Sequence, residues 1–220
     1  MQSLIEGVHK FRHEEFGNYR KLFRKLSREG QNPHSLFITC SDSRVLAELI
    51  TQSQPGDLFV VKNVGNIVPP ANVRGDTNST AAAIEFAVEN LKVNDIVICG
   101  HSQCGAIAAL LADSPVGDET PHLRDWLKLA APVLDTLNKD YAHLRDHAAR
   151  CSAAMEENVL FGLDNLRSYP CVQKRLAQGT LRLHAWFFEI ARAELFAYDP
   201  ETRQFSPLVE QKPDDHPPRQ

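Results

Sequence analysis

Nowhere in the 220 residues does an uninterrupted apolar run approach the roughly 18–20 residues that cross a bilayer. The sequence therefore predicts no transmembrane segment. The first sixteen residues interleave Glu6, Lys10, Arg12, Glu14 and Glu15 with apolar side chains. They lack the apolar core of a secretory signal, and a cytoplasmic protein is expected. Positive charge is not in excess: 24 Lys and Arg stand against 28 Asp and Glu, a net charge of -4. No global basic field argues for nucleic acid or an anionic membrane. Cysteine is sparse and odd in number, with Cys40, Cys99, Cys104, Cys151 and Cys171. Such a set reads as thiols in a reducing compartment, not as a disulfide framework. There is no internal repeat. What remains is ordinary: 43% hydrophobic and 24% charged residues, enough for one domain with a normal core. Function must be read from a site.

Three segments follow from the patterning. Residues 1–30 form a helical arm, in which Leu4, Ile5, Val8 and Phe11 make one apolar stripe and Tyr19, Leu22, Phe23 and Leu26 another. Gly17-Asn18 suggests a break between two helices, and Gly30 and Pro33 end the arm. Residues 31–206 form the main domain. Ser35–Thr39, Leu58–Val61 and Asp95–Gly100 read as strands, the second continuous enough to be buried on both faces. Helices are expected over 45–52, over 77–91 with Thr77, Asn78 or Ser79 as cap, and from Cys104 to Ala112. The alternation implies an α/β fold with a mostly parallel central sheet flanked by helices. The stretch 113–179 reads as mostly helical, with a loop at 113–120. A late strand at 181–187 follows, with Glu194–Tyr198 as its edge partner. Residues 207–220 form a polar, proline-rich tail.

In an open parallel sheet, ligands bind beyond the carboxyl ends of the strands. Cys40 ends the first strand, and His101 and Cys104 follow the third in Gly100-His101-Ser102-Gln103-Cys104-Gly105. A lone cysteine at a strand end is usually a packed thiol, and His-x-x-Cys alone is a weak signal. Together they supply two thiolates and one imidazole, a zinc set that keeps a fourth position for water or substrate. Asp42, two residues past Cys40, either ligates the metal or accepts a hydrogen bond from its water. Arg44 can grip that carboxylate in a bidentate pair and hold it off the metal. Cys99, Cys151 and Cys171 read as structural. His9, His13, His122, His143 and His147 read as solvated.

Cys40-Ser41-Asp42-Ser43-Arg44, then Asn63-Val64-Gly65-Asn66, then Gly100-His101-Ser102-Gln103-Cys104-Gly105 resemble the β-class carbonic anhydrases, over nearly the whole chain. The resemblance implies one zinc ion per subunit on Cys40, His101 and Cys104, with Asp42 and Arg44 as catalytic dyad. It implies reversible hydration of carbon dioxide to bicarbonate by a homodimer or higher homo-oligomer. Asp42 is a fourth ligand only in a closed form. Gln31 resembles a glutamine that reaches into the partner's site. Phe59 and Val64 match apolar walls of the carbon dioxide pocket, Phe86, also assigned to substrate binding, stands where the plant-like branch often has Tyr, and Gly105 matches a glycine whose amide faces substrate. Asn90 stands where plant members can have a proton-relaying histidine. Phe37, Lys62 and Phe188 stand where another branch builds an inhibitory bicarbonate site from Trp, Arg and Tyr. The chain is also similar to cyanobacterial carboxysomal members, without their long C-terminal extension, which leaves carboxysome association open. Two other functions suit the same residues: hydrolysis of carbonyl sulfide or carbon disulfide, and a non-catalytic bicarbonate-binding scaffold.

Overall fold

The structure, a computed structural model, describes residues 1–72, 78–112, 117 and 119–208. Six strands form one sheet: β1 (Ser35–Cys40), β2 (Leu58–Asn63), β3 (Asp95–His101), β4 (Arg182–Glu189), β5 (Glu194–Asp199) and β6 (Gln204–Pro207). Their order is β2-β1-β3-β4-β5-β6. The first four are parallel, and β5 and β6 run antiparallel at one side. Around them lie α1 (Gln2–Lys10), α2 (Phe16–Glu29), α3 (Ala47–Thr51), α4 (Ser79–Glu85), α5 (Gly105–Ala108), α6 (Pro121–Leu127), α7 (Pro132–Asp140), α8 (His147–Leu166) and α9 (Pro170–Ala177).

Every residue of β1 is buried, because two strands flank it and helices cover both faces. Leu36 and Ile38 pack on one side with Ile84, Val159 and Leu163. Phe37 packs on the other with Val45, Val97 and Phe188. Register brings the strand ends level: Thr39 pairs with Cys99 and Cys40 with Asn63. Cys40 and His101 therefore finish neighbouring strands at the same edge of the sheet. Helix α8 lies close over β3. A Cβ on Gly100 would sit 2.5 Å from the Val159 side chain, so only glycine permits this approach.

The side chains of α8 and the turn after it also shape the loop that follows β2. Asn158 donates to the Gly65 carbonyl at 2.9 Å and Asn165 to the Val68 carbonyl at 2.8 Å. Tyr169 donates to the Pro69 carbonyl at 2.8 Å.

Four expectations need correction. The arm is one continuous helical rod: a π turn at Phe11–Glu15 joins α1 to α2, and no break occurs at Gly17-Asn18. Gly17 stays helical because hydrogen bonding continues through it, and glycine merely weakens a helix. Strand β2 is half-buried, because it is the outermost parallel strand and has a neighbour on one side only. β5 is not the edge, since β6 pairs beyond it. The helix expected from Cys104 to Ala112 is only α5 and a 3₁₀ turn at Ala109–Leu111. Asn78 is the cap of α4, accepting from the amides of Thr80 and Ala81. Thr77, the loop at 113–116 with Asp118, and the tail from 209 onward lie outside the described residues.

Candidate metal centre

Cys40, His101 and Cys104 converge, with their ligand atoms all within 4.8 Å of one another. The two sulfurs are 3.9 Å apart. Tetrahedral zinc with Zn–S bonds of about 2.3 Å places two sulfurs about 3.8 Å apart. The His101 ring is completely buried. Its Nδ1 lies 2.9 Å from the Ser102 carbonyl. A carbonyl only accepts, so Nδ1 carries the proton and Nε2 presents a bare lone pair. Among the described residues, that Nε2 has no hydrogen-bond partner. A buried polar atom left in this way is costly unless something binds it. The donor set fits zinc.

The two thiols are within hydrogen-bond reach of each other. Cys40 is pulled down to about 4, chiefly by its hydrogen bond with Cys104 and against the effect of burial; the Gly65 amide, 3.4 Å from its sulfur, helps. Cys104 is pushed up by the same contact and by burial, while the first amides of α5 draw it the other way. Metal binding requires both sulfurs to be thiolates.

Asp42 and Arg44 stand at the mouth. Arg44 donates from Nε to Asp42 Oδ1 at 3.0 Å and from Nη2 to Oδ2 at 2.8 Å, and its backbone N–H donates to Oδ1 at 2.9 Å. These bonds hold the Asp42 carboxyl well below the usual carboxylate range, against the effect of burial. Asp42 Oδ2 is 4.0 Å from His101 Nε2, so the carboxylate faces the ligand cluster.

The other residues expected to line a substrate pocket are more scattered. Phe59 is half-buried on β2 and its ring lies 5.8 Å from that of Phe86. Phe86 and Val64 are 43% and 42% exposed in the protomer. Gly105 is exposed, and a Cβ there would meet nothing within 4 Å. Gln31 lies exposed between α2 and β1, and among the described residues no hydrogen bond ties it to the cluster. Asn90 is exposed at the end of the π turn that continues α4.

Two contributors escaped the sequence. Trp126 donates from Nε1 to the Val64 carbonyl at 2.7 Å and anchors the turn beside Cys40. Gln103 contacts Arg44 through its side chain and its backbone. Trp126 carries no local signal, being 62 residues from its partner. Gln103 lies inside the motif, but nothing in its residue type marks its left-handed backbone (φ 59°). Cys99 is fully buried and pushed up to about 12 by burial. His9, His13, His122, His143 and His147 are all exposed. The His147 ring nonetheless approaches Cys151 Sγ at 3.6 Å.

Residues 35–195 match the family described as carbonic anhydrase. A carbonic anhydrase of Synechocystis is 44% identical over 199 residues, covering 90% of this chain and 71% of the relative. The solved β-carbonic anhydrase CcaA superposes with a TM-score of 0.89 at 42% identity, covering 96% of this chain and 93% of that one. One of two tetrameric β-carbonic anhydrases from Sordaria macrospora gives 0.79 at 32% identity, covering 89% and 95%. With the sheet, the ligand cluster and these likenesses in agreement, the chain belongs to the β-class carbonic anhydrases.

Proposed function

We infer that this protein interconverts carbon dioxide and bicarbonate, using zinc held by Cys40, His101 and Cys104. One observation carries the reading: the bare, fully buried Nε2 of His101 faces two thiols beside a carboxylate pinned by arginine. When bound, zinc supplies the positive charge that lets a water lose its proton near neutral pH and act as nucleophile. Asp42, kept ionised by Arg44, accepts the hydrogen bond of the reacting water and turns its lone pair toward the substrate. Arg44 keeps that acceptor oriented. Phe59, Phe86 and Val64 offer carbon dioxide, a linear molecule without a dipole, an apolar wall that excludes bulk water. Gly105 leaves room for a substrate oxygen beside its amide.

The working form is a homo-oligomer. Among the described residues, no strand pairs with the outer edge of β2. Phe86, Val64 and the arm residues Leu4, Ile5, Val8 and Phe11 are exposed, a surface that a second copy would cover. The arm at 1–30 packs on that copy, and Gln31 completes the neighbouring site. No described helix is long and apolar enough to cross a membrane. Five free cysteines suit a reducing compartment such as the cytoplasm. The test is zinc content together with stopped-flow hydration of carbon dioxide. One zinc per chain and hydration abolished by chelation support the reading, and a zinc-replete protein without hydration refutes it. Carbonyl sulfide and carbon disulfide belong in the same assay. The relatives described above are named carbonic anhydrases, which favours neither hydrolysis of those gases nor an idle scaffold.

A further inference from the structure

We propose that Gln103 is a positioning residue that holds Arg44 along the guanidinium edge adjoining the one Asp42 takes and thereby fixes the dyad. The proposal rests on the roles given above to Asp42 and Arg44. Asp42 occupies only one side of the guanidinium, through Nε and Nη2. A side chain 44% exposed and held along one edge is free to rock about that edge. Gln103 takes the adjoining edge, Nη1 and Nη2. Arg44 Nη1 donates to Gln103 Oε1 at 3.2 Å, and Nη2 donates to the Gln103 backbone oxygen at 3.3 Å. Gripped on two sides, the guanidinium plane is fixed, and the carboxylate bonded to it is fixed as well.

The backbone explains how one residue reaches Arg44 twice. Gln103 sits between His101 and Cys104 with φ of 59°, a left-handed conformation that costs a non-glycine residue about 1 kcal/mol or more. That turn lets its carbonyl and its side-chain amide approach the same guanidinium. Any residue there leaves the backbone bond in place. Only a side chain with a suitably placed acceptor makes the second one. The ligand loop and the dyad loop, 59 residues apart in sequence, are thus tied together at Arg44.

Gln103→Gly isolates the side-chain contact, because glycine accepts the left-handed backbone without strain and keeps the carbonyl bond. The first readout is rotation of the Arg44 Nη groups, followed by ¹⁵N NMR on zinc-loaded and zinc-free protein and assigned with Arg44→Lys. In the wild type the Nη signals should be separate, reporting slow rotation. In Gln103→Gly, which keeps the Asp42 pair and the carbonyl bond and loses only the Nη1 contact, they should exchange faster. The second readout is kinetic: kcat should fall about tenfold with zinc content and KM unchanged. Gln103→Glu restores the acceptor and should restore slow rotation. Equal rotation in the wild type and Gln103→Gly overturns the proposal. So does faster rotation with unchanged kcat, or loss of zinc from the variant, which would make Gln103 a prop for the metal ligands. If the wild type fails to hydrate carbon dioxide, the functional reading falls, while the NMR comparison still decides the grip on Arg44.

Discussion

Lys62 donates its ammonium hydrogens to two backbone carbonyls, that of Val45 at 2.7 Å and that of Asp42 at 3.2 Å. It braces the dyad loop from beneath, and its charge is occupied. Its neighbours by homology, Phe37 and Phe188, are buried hydrocarbon, with the Phe37 ring edge-on to Trp186 at 6.0 Å. A bicarbonate ion placed here would be desolvated with no converging donors to replace its water. Activity should therefore rise with pH as one smooth ionisation, and added bicarbonate should leave the profile's shape unchanged after correction for product inhibition. A steep onset that bicarbonate moves to higher pH would contradict this account.

Replacing a ligand and replacing the dyad carboxylate should be separable. Cys104→Ala should lose zinc and hydration together. Asp42→Asn should keep one zinc per chain and lose roughly a hundredfold or more in kcat, because the amide NH2 cannot accept the water's hydrogen bond. Metal analysis and stopped-flow assays on both variants decide the matter. Retained zinc in the first, or unchanged turnover in the second, would reassign the residue concerned.

Assembly should matter to activity. If Gln31 completes a neighbouring site, specific activity should fall on dilution through the dissociation of the oligomer. Gln31→Ala should reduce turnover without changing sedimentation. A fully active monomer at assay concentration would remove Gln31 from the site.

At the other end of the sheet, burial would raise Asp95, but hydrogen bonds from His184 at 2.8 Å and Arg182 at 2.8 and 2.9 Å outweigh it and bring it to about 2. A carboxylate depressed in the folded state stabilises above its unfolded value of about 3.9 and loses that contribution as pH falls toward 2. With Arg182 half-exposed and screened, the contribution is about 1–2 kcal/mol. Asp95→Asn should lower stability at pH 7 and flatten its dependence on pH between these limits. Denaturant titrations across that range would test this, and parallel curves for the two proteins would dismiss it.

Gly100→Ala should destabilise by about 1–3 kcal/mol, since the added methyl collides with Val159 and forces α8 off β3. A Val159→Ala second change should recover part of the loss. An unchanged midpoint in the single variant would mean that the helix yields freely.

The candidate metal ligands were legible because each sits at the carboxyl end of a buried strand or opens the helix after it, places that apolar runs mark clearly. The parallel strands were legible for the same reason. Their exposure was not: Leu58–Val61 is as apolar as a central strand, and only its place in the sheet order leaves it half-buried. The π turn at Phe11–Glu15 escaped because local propensity pointed to glycine as the weak point. β6 escaped because Gln204–Pro207 is short, polar and mostly exposed. Trp126 and Gln103 act on partners 62 and 59 residues away, and no periodicity within a window records such a contact.

The amides of Asn158 and Asn165, seven residues apart on one face of α8, hook the carbonyls of Gly65 and Val68. Seven residues make nearly two whole turns, so both hooks point the same way. The helix thus serves as a ruler against which the loop is cut to length. One residue inserted between the hooks would swing the second by about 100° and unlatch it. The phase of α8 and the length of the loop can therefore change only together. A structure diverging from this one at the loop should show a compensating shift in the spacing of its hooks.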